Sequence, residues 1–132
     1  SMNLRDPLHG IEQKLLLVRG HWVLLDVDAA DFYQVQVRAL RMAVSRNLTR
    51  FARGFVFKLS KAGAREFPAA FAWQPVPAYA YTKAGVAMLS SVLKSKKAIQ
   101  VSIDIIRYRI DNRRLFVELG GYDGLPKNPE SQ

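Results

Sequence analysis

The segment "DVDAADFYQVQVRALRMAVSRNLTR", residues 26–50, decides how the rest of the chain is read. Its first eight residues set Ala29, Ala30, Phe32 and Tyr33 in a short helical pattern behind Asp26 and Asp28, either of which suits a helix N-cap. Acidic residues in a first turn also complement the helix dipole. A second helix is expected from Val37 to Leu48. At about 100° per residue, Val37, Leu40, Ala43, Val44 and Leu48 fall within roughly 140° of arc. The adjoining arc collects Arg38, Met42, Ser45 and Arg46, with Arg41 at its border. A helix, a tight connection and an amphipathic helix with a basic outer face form the arrangement of helix-turn-helix readers.

Working outward, "KLLLVRG" and "HWVLLD" are two apolar runs separated by Arg19-Gly20, a turn signal, and they predict a hairpin. Downstream, "RGFVFKLS" alternates Phe55, Phe57 and Leu59 with Val56, Lys58 and Ser60, the pattern of a strand with an aromatic inner face. A short helix is expected from Ser60. Prolines 68, 75 and 77 then mark a loop, and "AYAYT" returns as a strand. Thr82 caps a helix whose Val86, Leu89, Val92 and Leu93 follow helical spacing. In the last helix, "SKKAIQVSIDIIRYRI", Ile99, Ile103, Ile106 and Ile110 make one stripe, widened by Val101, Ile105 and Tyr108. A helix this apolar is expected to be buried centrally or to pair with another chain, and a homodimer through residues 98–110 is the expectation here. The tail "GGYDGLPKNPESQ" has the composition of a frayed end. The whole is a small single α+β domain at residues 15–112, with an N-terminal extension at 1–14 and a tail at 113–132.

The 132 residues suffice for one modest domain. Nearly half are apolar, so a packed core is feasible. The absence of cysteine excludes disulfides, thiolate zinc sites and cysteine nucleophiles. No apolar run approaches ~18 residues, and the opening lacks a signal-peptide apolar region. Ser1, ahead of Met2, reads as the remnant of a cleaved tag. The net charge is +9, unevenly spread. Residues 1–31 carry three basic and five acidic side chains, residues 104–132 five of each, and residues 32–103 twelve basic against Glu66 alone. Such a concentration repels itself unless a polyanion or counterions offset it. Nucleic acid, acidic protein surfaces and anionic lipid are the partners of that chemistry.

Several blocks of this sequence resemble the Orf-six-N domain, a phage and prophage N-terminal module related to the KilA-N and Bro-N domains. The first half carries Asp26 with Ala29-Ala30-x-x-Tyr33, then Leu40, Val44, Arg46-Asn47, Arg50-Phe51 and Phe55-x-Phe57-x-Leu59. The second carries Thr82-x-x-Gly85 with the block "GVAMLSSVL", then Ala98-Ile99-Gln100-Val101. The resemblance spans roughly residues 15–110. It implies a DNA-binding role, often at the front of antirepressor-like regulatory proteins. The sequence also departs from the pattern. Gln34 stands where the family usually has a turn glycine, the residue that takes φ above zero without strain. Arg41 replaces a polar amide, which would move base preference from adenine toward guanine. Ala52 replaces a proline, Lys83-Ala84 replace a Glu-Gln pair, and the central loop is short. The charge-changing departures leave the surface more positive.

The candidate contacts to duplex DNA follow. Arg38, Arg41 and Arg46 reach phosphates or base edges, or else form a solvated helix face. Arg50, Arg53 and Lys58 hold the backbone. Ser45 permits close approach. Asn47 reads adenine or caps the helix C-terminus. Lys94, Lys96 and Lys97 form a second phosphate clamp or a solubilising corner. Phe55 and Phe57 belong to the core by strand alternation, whereas Phe67, Phe71 and Trp73 could stack on single-stranded bases. His9 and His21 lack clustered carboxylates, so no metal is expected, and no cofactor is implied. No catalytic constellation emerges, and "GGYDG" lacks the strand and helix that a phosphate loop needs. The expected function is a non-enzymatic duplex DNA-binding domain of a phage- or prophage-type, antirepressor-like regulator in the bacterial cytoplasm. The alternatives are a module binding an acidic protein through its Ile-rich helix, and an RNA or single-strand binder.

Overall fold

The computed structural model describes residues 6–59 and 78–118, with side chains at 6–59 and 79–113. The expected helix from Ser60, the proline-rich loop with Trp73 and the polar tail lie outside the described residues. Strand β1 (Leu16–Val18) and β2 (His21–Leu25) form the hairpin, followed by α1 (Asp26–Tyr33) and α2 (Val37–Arg46). Then come β3 (Val56–Leu59), β4 (Ala78–Thr82), α3 (Lys83–Val92) and α4 (Lys96–Glu118). The fold is α+β, as the patterns predict.

The strands form one antiparallel sheet in the order β1-β2-β4-β3. The hairpin turn at Arg19-Gly20 has positive φ at both residues, 50° and 83°, the backbone hand that matches strand twist. Alternation across the pleat gives the sheet two buried faces. One presents Leu24 and Tyr81 to Ala29, Ala30, Tyr33, Leu40, Val44, Val86, Leu89, Ala98 and Val101 of the helices. The other buries Val18, Val23, Leu25, Leu59 and Ala80. Phe57 packs half-buried beside this second cluster.

Three local readings change in the folded chain. Asp26 and Asp28 do not cap α1: Leu25 holds the N-cap position without a side-chain cap, and both acids sit inside the first turn. The Asp26 side chain turns inward and is fully buried. Second, α2 ends at Arg46, because Asn47 leaves helical geometry with φ −132°. Leu48 therefore falls in a short 3-10 turn and is 63% exposed instead of closing the apolar arc. Third, α4 buries only one side. Ala98 and Val101 face the helical core, whereas Ile99, Ile103, Ile106 and Ile110 stand in solvent. The stripe lies outside the central core, and the helix continues through residue 112 to Glu118.

The connection between α1 and α2 retains its shape despite the missing glycine. Gln34 takes the left-handed conformation, φ 58° and ψ 45°. Its N–H donates to the Asp31 carbonyl at 3.1 Å, and Val35 N–H reaches back to the Ala30 carbonyl at 2.9 Å. This is a Schellman closure, which satisfies the last carbonyls of α1 and aims the chain into α2. Ser95 secures the same corner from the other side. Its hydroxyl donates to the Tyr33 carbonyl (2.7 Å) and accepts from Ala98 N–H (3.0 Å) at the start of α4.

Candidate nucleic-acid interface

Helix α2 lies across the helical core with Leu40 and Val44 buried and Arg38, Ala39, Met42, Ser45 and Arg46 exposed. Two grooves flank it. The first, about 290 Å³, is lined by Arg41, Val44, Ser45, Leu48, Tyr79 and Tyr81. Lys58 pairs with Tyr79 across β3 and β4, so its ammonium stem rises on the same face of the sheet. The second groove, about 420 Å³, runs between α2 and the α3–α4 junction. It brings Met42, Arg46 and Asn47 opposite Leu93, Lys94 and Ser95. Arg46 and Lys94, 48 positions apart in sequence, therefore line one groove.

The charges on this surface divide into engaged and unengaged groups. Arg41 Nε donates to Asp26 Oδ2 at 2.7 Å. One oxygen of Asp26 and one terminal nitrogen of Arg41 are also buried without a hydrogen-bond partner among the described residues. Burial, and then the nearby Asp26 carboxylate, push the Tyr81 phenol above its ordinary value. Lys97 sits 4.4 Å over the ring of Phe32, a cation–π contact that ties it to α1. Asn47 Nδ2 donates to the Ala43 carbonyl at 2.8 Å, closing the end of α2. Ser45 turns its hydroxyl back to the Met42 carbonyl at 3.3 Å. By contrast, Arg38, Arg46, Arg50, Arg53, Lys58, Lys94 and Lys96 are exposed, and none makes an ion pair with a described carboxylate.

A model of the ORF6N domain matches residues 13–92, from within the 3-10 turn Glu12–Lys14 ahead of β1 to the end of α3. The chain belongs to the ORF6N domain family. No curated protein and no solved structure matches it. The ORF6N match takes in both helices of the α1–α2 pair, the sheet and the first groove. Lys94, Lys96, Lys97 and the isoleucine stripe of α4 lie beyond it.

The ORF6N fold thus gathers part of the expected basic set and diverts part. Arg38, Arg46, Lys58 and Lys94 border α2 and its grooves, whereas Arg41 and Lys97 serve intramolecular contacts. Sequence reasoning paired no acid with Arg41, because the basic block itself holds only Glu66. Asp26 comes from outside that block, 15 positions upstream. A signal was present: Asp26 closes the apolar run of β2, and Arg41 borders the apolar arc of α2, so each meets the core edge. Tyr79 was also missed as a groove residue, because the register of β4 against β3 brings it there. No described helix is long and apolar enough to cross a membrane.

Proposed function

We propose that this ORF6N domain is a non-enzymatic duplex DNA-binding module of an antirepressor-like phage or prophage regulator, working at the bacterial nucleoid. Helix α2 enters the major groove, with Arg38 and Arg46 at base edges or flanking phosphates. Arg50, Arg53, Lys58 and Lys94 hold the backbone. Met42 holds the centre of the exposed face between the two arginines, and the small Ala39 and Ser45 keep its edges low, which permits close approach.

One observation carries this reading. The exposed face of α2 and its borders hold arginines and lysines without described carboxylate partners, on a helix whose opposite side is fixed by Leu40 and Val44. Fixed cations of one sign release counterions on meeting a phosphate backbone, and that release drives binding.

Tyr79 favours a second reading. It is 36% exposed in the first groove beside Lys58, the pairing of aromatic and cation that single strands use. Gel-shift titration of random duplex against random single strand, across salt, separates the two. Tighter duplex binding with a steep salt slope supports the major-groove reading. Tighter single-strand binding that falls with Tyr79→Ala replaces it. No binding to either nucleic acid at low salt overturns both and leaves an acidic protein partner.

A further inference from the structure

Ile99, Ile103, Ile106 and Ile110 are 52%, 39%, 58% and 52% exposed along α4. At about 100° per residue they fall within roughly 60° of arc, well away from Ala98, Val101 and Ile105 on the domain side. Their spacing is four, three, four. That is the alternation of a coiled-coil seam, in which every second layer shifts by one residue to keep the stripe straight. It is also the same read from either end. A palindromic seam is complementary to itself reversed, the requirement for a two-fold isologous contact.

We propose that α4 forms an antiparallel two-helix seam with α4 of a second copy of this chain, Ile99 meeting Ile110 and Ile103 meeting Ile106 across the two-fold. Charge fixes the direction. Arg107 flanks the seam on one side, and Ser102 and Arg109 flank it on the other. Parallel packing offsets the two flanks by five residues and sets Arg107 beside Ser102 of the other copy, where no carboxylate meets it. Antiparallel packing sets Arg107 opposite Gln100 and Arg109 opposite Ser102. Gln100 Nε2 already donates to Asp104 at 2.9 Å, so the arginine also arrives beside a carboxylate. The proposal does not rest on DNA binding.

Sedimentation equilibrium of the full chain tests it. The seam is short and falls at the small end of specific interfaces, so loading runs from about 5 to about 200 µM. The expected mass rises from 14.9 kDa toward twice that value. Ile106→Lys should remain monomeric throughout, with unchanged circular dichroism, because the residue is exposed in the monomer. The 132 residues include no cysteine, so single introduced cysteines report direction. A mixture of Ile99→Cys and Ile110→Cys should give a mixed disulfide dimer, and neither variant alone should. Self-crosslinking of each single variant would overturn the antiparallel arrangement. A monomer at all concentrations, or a dimer indifferent to Ile106→Lys, would overturn the seam.

Discussion

Arg41 Nε lies 2.7 Å from Asp26 Oδ2, joining the start of α1 to the middle of α2 beneath the candidate DNA face. The carboxylate is fully buried, and the arginine side chain is about one-third exposed. The bond holds the two helices of the pair at one separation, and it engages Arg41 inside the protein at the edge of the candidate face.

Arg41→Ala should therefore act on stability first. It leaves Asp26 buried without its cation, at a cost of about 3 kcal/mol, the lower end of the range for broken buried pairs. The double replacement Asp26→Leu with Arg41→Met should recover much of that loss, since no charge is then stranded. Urea denaturation measures both. An Arg41→Ala variant of parental stability with weakened DNA binding would assign the residue to the ligand instead.

Gln34→Gly should stabilise the domain. A non-glycine residue in the left-handed region costs roughly 1–2 kcal/mol, partly offset by the greater chain entropy of unfolded glycine. A gain of up to about 1 kcal/mol in urea denaturation is expected, with unchanged DNA affinity. Destabilisation would mean that the Gln34 side chain contributes more than the strain removes.

The β4–α3 corner should be sensitive at two positions. Thr82 Oγ1 accepts from Gly85 N–H at 3.3 Å and donates to the Gly54 carbonyl at 2.8 Å. Thr82→Ala should cost about 1–2 kcal/mol. A Cβ on Gly85 would overlap the Phe55 carbonyl oxygen, so Gly85→Ala forces the two segments apart. The expected cost is about 1–3 kcal/mol, the range for overpacking, read as a lowered thermal midpoint.

Arg46→Ala and Lys94→Ala should leave stability within about 0.5 kcal/mol, because both side chains are exposed without described ion pairs. If each contacts a phosphate, the slope of log affinity against log salt falls by about one unit per substitution. Together they should fall additively, since they face one groove from opposite sides. A base contact by Arg46 would instead cost about 1–3 kcal/mol on preferred sequences and relax sequence choice.

Local pattern in the chain determined the elements of this protein and its charge. The turn at Arg19-Gly20, the Thr82 cap, the two-helix segment and the one-sided basic block were all legible. The first three depend on residues within a few positions of one another, where φ/ψ preference and periodicity act, and the fourth on composition alone. Tertiary structure alone decided which basic groups share a surface and which are consumed inside. Asp26 reached Arg41, and Lys97 reached Phe32, because the fold packs α1 against α2 and swings α4 back onto α1. The same applies to the isoleucine stripe: periodicity put four residues in line on one face of the last helix. Whether that line met the core depended on which side of α4 Ala98 and Val101 offered to the domain, and burial of small side chains there turned the larger ones outward.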